Sequence, residues 1–133
     1  GAPHIGFYVT RDGVSARALP AYRVRPGEQV RFVYSSVRSA YLAIYGVDVR
    51  GTVSVYFPTT AKAQKVSAGS DVLLQSGVEL DRVLGPERVY ALFCEAEFEV
   101  EAMRETMADA EHATLPRDCR LDALSWIKEE PTP

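Results

Sequence analysis

The chain has 133 residues, of which 47% are hydrophobic, and this is enough to form one hydrophobic core. With 25% charged residues, its composition is that of a folded protein and not of a disordered one. Its net charge of −3 excludes the basic balance typical of nucleic-acid binders, and no apolar run approaches the roughly 20 residues of a membrane-spanning helix. We therefore predict one domain, residues 1–133, that binds no nucleic acid and does not itself insert into a membrane. Residues 1–3 lack the features of a signal peptide and are interpreted as a linker or an added start, and residues 129–133 as a frayed tail.

The charges are distributed unevenly along the chain. Residues 1–50 contain seven arginines and three acidic residues, whereas residues 51–133 contain eight basic and fifteen acidic residues. An anionic partner for the first part would explain this asymmetry. The simpler interpretation is that the two parts pack together and neutralise each other.

The first half of the chain alternates strands with turns. Apolar and polar residues alternate in several short runs, and Asp12-Gly13 and Pro26-Gly27 supply the residues of tight turns. Pro20 is predicted to end the second strand because proline has no N–H to donate to a ladder. The predicted strands are Ile5–Thr10, Val14–Leu19, Tyr22–Val24, Gln29–Ser35, Ala40–Val47 and Thr52–Phe57.

In the second half of the chain the strand patterns are weaker, and in one segment the spacing of apolar residues changes from that of a strand to that of a helix. Between Phe98 and Ala110, apolar residues recur at three- and four-residue steps, which predicts an amphipathic helix of about three turns with Phe98, Met103 and Met107 facing the sheet. Outside the helix we predict a polar loop over Thr59–Ser70, a turn at Gly85-Pro86, and strands over Val72–Gln75, Val78–Leu80, Arg88–Cys94 and Leu121–Lys128.

Short strands at frequent spacing, with turn signals between them, indicate a mainly β protein. We expect an antiparallel β-sandwich or open barrel, with the one amphipathic helix near the C-terminus covering an end or an open face. The turns at Asp12-Gly13 and after Val47 favour antiparallel neighbours.

The sequence carries no recognisable catalytic apparatus. Its two histidines, His4 and His112, are not placed beside a nucleophile by any motif, and the phosphate-binding and nucleophile-elbow patterns are absent. Ser70-Asp71 is ordinary turn composition, and the spacing of His112 and Cys119 is outside that of structural zinc sites. We predict no enzyme activity, no cofactor and no catalytic or metal-ligating residue, and the ligand-binding residues stay unassigned.

The strand tyrosines allow two interpretations. With Arg31 and Arg38 they could form a stacking platform for a ligand. Alternatively they are ordinary strand formers that make cross-strand pairs, which the net acidity favours over binding to a nucleic-acid strand. These tyrosines are Tyr8, Tyr34, Tyr41, Tyr45, Tyr56 and Tyr90.

Five segments carry a shared pattern of turns and core strands: Arg25–Phe32, Ala40–Ile44, Gly51–Pro58, Leu80–Asp81 and Gly85–Cys94. Together they resemble the bacterial domain-of-unknown-function family 4384, over about Ile5 to Lys128. A proline usual in that family before the strand after Gly69 is missing, and Val72-Leu73-Leu74 stands there instead. The resemblance implies an accessory or sensory domain, attached to anti-sigma-factor, kinase or peptidase-like modules and displayed outside the cytoplasm behind one membrane helix.

The chain has two cysteines, Cys94 at a strand end and Cys119 between the helix and the last strand. Two cysteines at these positions can link the end of one strand covalently to the segment that leads into the last strand, and we predict a disulfide between them. The alternative is two reduced thiols, since a domain of this size does not require a disulfide. The prediction goes together with the extracytoplasmic, periplasmic or envelope location that the resemblance implies; a cytoplasmic location is the alternative.

The leading hypothesis is a non-enzymatic binding or sensory module of a bacterial multi-domain, membrane-anchored regulatory protein. Its partner would be another protein or other modules of the same polypeptide. A structural protein–protein interaction domain and a cryptic hydrolase are the alternatives. A pocket lined by tyrosine and arginine would favour the first, a flat apolar patch the second, and a serine or cysteine beside His112 the third.

Overall fold

The structure, a computed structural model, describes residues 1–19 and 21–132. Pro20, where the second strand was predicted to end, and Pro133, in the predicted tail, lie outside the described residues. None of the helices in the described part is long and apolar enough to cross a membrane. The strands are β1 (His4–Arg11), β2 (Val14–Ala18), β3 (Tyr22–Val24), β4 (Gln29–Ser36), β5 (Ala40–Val47), β6 (Val53–Phe57), β7 (Gln64–Val66), β8 (Gly69–Glu79), β9 (Gly85–Cys94) and β10 (Cys119–Lys128).

The strands form two sheets packed as a β-sandwich, so the mainly β class is confirmed. The four-stranded sheet has the order β2-β1-β4-β8. The six-stranded sheet has the order β3-β10-β9-β5-β6, with β7 also paired to β5. Most neighbours are antiparallel, as predicted, but β3 pairs with β10 in parallel. The first and last parts of the chain therefore meet in one sheet.

The inner faces of the two sheets meet in an aromatic core. Alternation along β1 and β4 points Phe7 and Phe32 inward, and alternation along β10 points Trp126 toward them. The Trp126 ring lies 5.3 Å from that of Phe7 and 6.1 Å from that of Phe32, and Tyr56 lies 5.8 Å from Trp126. Offset aromatic pairs of this kind add to the stabilisation given by burial alone.

The outer face of the six-stranded sheet is covered by residues 95–118, the connection between β9 and β10. This connection packs Val100, Met107 and Ala110 against Tyr45 and Leu92. The Tyr45 hydroxyl donates a hydrogen bond to the Val100 carbonyl at 2.8 Å. Because both faces of β5 are thus covered, the strand is apolar at almost every position.

The helix is shorter than predicted. A 3-10 turn at Glu101–Met103 runs into α1 (Arg104–Ala108), and residues 98–100 are not helical. Met107 is fully buried and Phe98 and Met103 are half-buried, but Ala102, another apolar residue at this helical spacing, is exposed. The apolar spacing arises because an irregular segment crosses the sheet and contacts it at intervals.

Four predictions were wrong, three of them for the middle of the chain and one for the end of the second strand. The predicted loop Thr59–Ser70 contains β7 and the first two residues of β8, and the two predicted strands after it are one strand, β8. The pairing with β4 contains register shifts at which β8 has extra residues. These residues interrupt the apolar alternation, so the sequence pattern shows two short strands where the structure has one. The predicted turn Gly85-Pro86 is the start of β9, and the second strand ends at Ala18, not Leu19.

Candidate functional site

Two charged side chains are buried at the end of the sandwich where β10 finishes. Lys128 is 1% exposed and Glu87 is 3% exposed. Both point inward because they continue the alternation of buried residues along β10 and β9. Buried ionisable groups are a common feature of functional sites, so this end of the sandwich is one candidate site.

Glu87 is fully engaged by its neighbours. Its carboxylate accepts hydrogen bonds from the Trp126 indole N–H at 2.9 Å and from the Tyr56 hydroxyl, and it lies 3.4 Å from the Lys128 ammonium. Lys128 also donates to Asp81, which is half-exposed. We call these five residues the polar cluster and their end of the sandwich the closed end. The cluster holds two carboxylates and one ammonium, and each charged group in it has a partner, which is the arrangement of a structural ion-pair network.

The polar cluster leaves no room for a ligand beside Glu87. Gly46 of β5 faces it, and a Cβ atom there would overlap both the Glu87 carboxylate and the Tyr56 ring. Burial and then the nearby Glu87 charge raise the pKa of Tyr56 far above its usual range, so Tyr56 stays a hydrogen-bond donor. Burial acts to raise the pKa of Asp81, but hydrogen bonds from Lys128 and from the Val83 N–H outweigh it and the pKa is lowered.

The opposite end of the sandwich, where β9 finishes and β10 begins, opens into a cleft of about 530 Å³. It is lined by residues 1–3 before β1, by 36–40 between β4 and β5, by 93–95 at the end of β9, and by Arg117, Asp118 and Arg120. We call it the arginine cleft, and this end the open end. Its volume lies in the range of small-molecule sites.

Each arginine reaches the cleft from a different place. Arg38 lies in the turn between the two sheets, and Arg117 follows Pro116 in the connection that covers the outer face. Arg120 lies near the start of β10, on the same strand face as Leu124 and Trp126, which places it at the mouth between the sheets. The cleft thus collects positive charge from separate parts of the chain.

The acidic residues of the cleft are already occupied. Glu95 lies 3.5 Å from the Arg38 guanidinium. The Asp118 carboxylate accepts the Ala96 N–H at 2.9 Å, which holds the chain where it leaves β9. Within residues 1–19 and 21–132, no carboxylate lies within 4.0 Å of Arg117 or Arg120. Both side chains lie at the surface of the cleft.

A disulfide closes the wall of the arginine cleft. Cys94 and Cys119 are bonded as predicted; they are directly opposed in the β9–β10 ladder, with Cα atoms 4.1 Å apart. Beyond them, the Glu95 N–H donates to the Asp118 carbonyl at 3.1 Å. The bridge therefore fixes the two chain segments that carry Glu95, Arg117, Asp118 and Arg120.

The other residues considered in the sequence lie elsewhere. His112 is exposed and its Nδ1 lies 2.7 Å from the Asp109 carboxylate, at the rim of a second cleft of about 480 Å³ that Arg88 and Tyr90 also line. In that cleft Arg88 is paired with Glu111 at 2.6 Å. Among the described residues there is no group of three or more His, Cys, Asp or Glu side chains placed to hold a metal ion.

The tyrosines and arginines that could have formed a stacking platform are dispersed in the structure, which agrees with the alternative interpretation of ordinary strand formers. Tyr8 on the outer face of the four-stranded sheet lies between Arg17 and Arg31 in register, with the Arg17 guanidinium 5.6 Å from its ring. Arg38 is at the open end instead. The hydroxyls of Tyr34, Tyr45 and Tyr56 make internal hydrogen bonds, so these tyrosines are structural.

Sequence reasoning missed Arg117 and Arg120, the residues that distinguish the arginine cleft. Neither lies in a motif, and Arg120 falls just before the predicted last strand. A scan against models of protein families and a search of curated proteins gave no match to this chain. The family resemblance therefore stays a prediction.

Proposed function

We propose that this chain is a non-enzymatic binding module and that the arginine cleft is its ligand site. The observation that carries the proposal is the cleft itself: about 530 Å³ at the open end, with two guanidinium groups that have no carboxylate partner in the described residues. Uncompensated charge in a concave site is a common feature of ligand recognition.

Binding is favoured over catalysis by the arrangement of the titratable groups. His112 lies against Asp109 at an exposed site outside the arginine cleft. A catalytic serine or cysteine needs a base within hydrogen-bond reach, and both cysteines are joined in the disulfide. The residues that line the arginine cleft can orient and neutralise a ligand.

In this proposal the module senses a ligand or partner for a larger bacterial regulatory protein. The disulfide suits an oxidising compartment, such as the periplasm or the envelope. The family resemblance supports the same placement, through the accessory domains that it implies. The partner would be another protein or another module of the same polypeptide.

The proposal is tested by blocking the cleft. Ser39 lines it and is exposed, so Ser39→Trp should fill the space without disturbing the core. A library of small acids, amines and neutral compounds is screened against the ¹⁵N-labelled protein by NMR. We expect hits that move the amide signals of residues 36–40 and 117–120, and that are lost in Ser39→Trp. Thr52→Trp, an exposed site on the turn before β6, is the matched control and should retain them.

Hits that map to the second cleft beside His112, or that survive Ser39→Trp unchanged, would overturn the assignment of the site. Conversion of any library compound, detected in the same spectra, would overturn the non-enzymatic part.

A further inference from the structure

We infer that the ligand of the arginine cleft carries a carboxylate group, which Arg117 and Arg120 bind together. This inference rests on the proposed function and names the chemical class that the site recognises. Three arginines and two acidic residues line the cleft, and both acidic residues already have partners.

The guanidinium group suits this role better than a simple positive charge. It is planar and presents paired N–H donors that match the two oxygens of a carboxylate. It also keeps its charge at any physiological pH. An anion that bridges Arg117 and Arg120 would supply the opposite charge that the described chain does not supply within 4.0 Å.

The other residues that line the cleft favour an organic acid over an inorganic anion as the ligand. Ala2, Pro3, Val37 and Ala40 also line the cleft, and Val37 is 72% exposed. These apolar groups can contact the carbon skeleton of a ligand while the arginines hold its acidic group. Glu95 and Asp118 sit at the same site and would repel a more highly charged group such as phosphate.

The same chemistry can come from a free small acid or from a glutamate side chain on a partner. A cleft of this size accommodates either. We therefore use two carboxylate probes, free glutarate and a tripeptide with one central glutamate and blocked ends, and two comparison probes, glutaramide and inorganic phosphate.

The experiment is an NMR titration of the ¹⁵N-labelled protein at low ionic strength. Glutarate or the blocked peptide should shift the amide signals of residues 36–40 and 117–120, and glutaramide should not. Arg117→Gln and Arg120→Gln should each weaken binding at least about tenfold, because each removes charge-assisted hydrogen bonds. Arg120→Lys should retain part of the affinity, since lysine keeps the positive charge but lacks the paired N–H donors of the guanidinium group.

Arg82→Gln is the matched control. Arg82 is exposed in the loop between β8 and β9, at the closed end, and its replacement should leave the affinity unchanged. Melting temperatures of all variants should match that of the parent protein, which separates loss of binding from loss of folding. Added salt should weaken glutarate binding, because screening reduces the attraction between exposed charges.

The outcomes are distinct. Tighter binding of the peptide than of glutarate identifies a protein partner, and the reverse identifies a free acid; both support the inference. Binding of glutaramide equal to that of glutarate, or phosphate binding more tightly than both acids, would overturn the carboxylate assignment. A ligand that Ser39→Trp excludes but the glutamine variants still bind would leave the proposed function standing and overturn this inference alone. If none of the four probes shifts any signal at millimolar concentration, the inference is also overturned.

Discussion

The two ends of the sandwich lie roughly 30 Å apart along β10, at about 3.3 Å per residue, and they hold charge in opposite ways. At the closed end, Lys128 and Glu87 are buried and contact each other, and two aromatic side chains hydrogen-bond to the carboxylate. At the open end, Arg117 and Arg120 lie at the surface without a carboxylate partner in the described residues. The fold uses a covalent bond there, between Cys94 and Cys119.

Under the proposed function, this difference separates charges that serve folding from charges that serve recognition. A buried ion costs several kcal/mol to desolvate, so it persists only where its partners are in place before any ligand arrives. An exposed guanidinium costs little to leave unpaired, and it stays available for a ligand. If this distinction is right, changes at the closed end should alter stability, and changes at the open end should alter binding.

The largest effect is expected from Glu87→Ala. Removing this carboxylate leaves the buried Lys128 ammonium paired with the half-exposed Asp81 alone among the described residues. It also takes the acceptor from the Trp126 N–H and the Tyr56 hydroxyl. We expect a loss of about 3–5 kcal/mol in the free energy of unfolding, measured with urea. The matched control is Glu95→Ala at the open end, where the pair with Arg38 is exposed and should contribute less than about 1 kcal/mol.

A double variant sharpens this test. Replacing Glu87 and Lys128 together by methionine removes both buried charges, so it should cost clearly less than the two single replacements added together. Additive costs, or a loss below 1 kcal/mol for Glu87→Ala alone, would mean that the ion pair is not what holds the closed end.

The second effect concerns the disulfide. Its loop of 25 residues should stabilise the fold by about 3.5 kcal/mol on the chain-entropy estimate. We expect a loss of this size when Cys94 and Cys119 are both replaced by alanine. A reducing agent should lower the melting temperature of the parent protein and leave that of the variant unchanged.

Intact-mass analysis of the non-reduced protein checks the bond directly. Two alkylatable thiols in protein made under oxidising conditions would contradict it, and equal stability with and without the reducing agent would show that the open end is closed by packing alone.

The third effect depends on pH. Burial acts to raise the pKa of Glu28, but hydrogen bonds from Arg11 and from the Arg25 N–H outweigh it, and the pKa lies below the ordinary 4.5. The pKa of Asp81, at the closed end, is likewise lowered, from the ordinary 3.8. A lowered folded-state pKa contributes stability that is present above the unfolded-state value and lost as pH falls through the folded-state value.

Stability should therefore decline as the pH drops below about 4.5. Glu28→Gln should cost about 1–2 kcal/mol at pH 7, and this cost should shrink as the pH falls below about 4.5, because the parent protein loses the contribution of its carboxylate as that group is protonated. Urea unfolding at several pH values measures this. A gap between the two proteins that stays constant with pH would contradict the assignment of the acid sensitivity to this carboxylate.

The smallest effect completes the comparison. Arg117→Gln and Arg120→Gln, which should weaken ligand binding, should change the free energy of unfolding by no more than about 0.5 kcal/mol, because neither side chain holds a charged partner in the described residues. A loss of 2 kcal/mol or more in urea would make them structural and remove the contrast between the ends.

The closed end could have been found in the sequence. In the predicted strand Arg88–Cys94, alternation places Val89, Ala91 and Phe93 on one face, and two residues before Val89 the same face carries Glu87. Leu124 and Trp126 likewise continue to Lys128. Alternation alone therefore indicates two buried charges. What it does not give is the pairing of strands, and only the register of β9 with β10 brings the two residues together.

The open end could not have been found in this way. Arg38, Arg117 and Arg120 come from segments about 80 residues apart, and their meeting depends on how the two sheets are stacked. The helix was overestimated for a related reason. Spacing of three and four residues is typical of a helix, yet here an irregular segment reproduces it by touching the outer face of the sheet at Val100, Met107 and Ala110.

The bare backbone at Gly46 has a consequence for how this chain can vary. Any side chain at position 46 would displace the Glu87 carboxylate and the Tyr56 ring, and thereby undo the hydrogen bond from Trp126. Substitutions at these positions are therefore not independent: a larger residue at 46 becomes tolerable only after 87 and 56 have become smaller. In divergent homologues Gly46 and Glu87 should therefore be retained together or replaced together, and position 56 should vary with them.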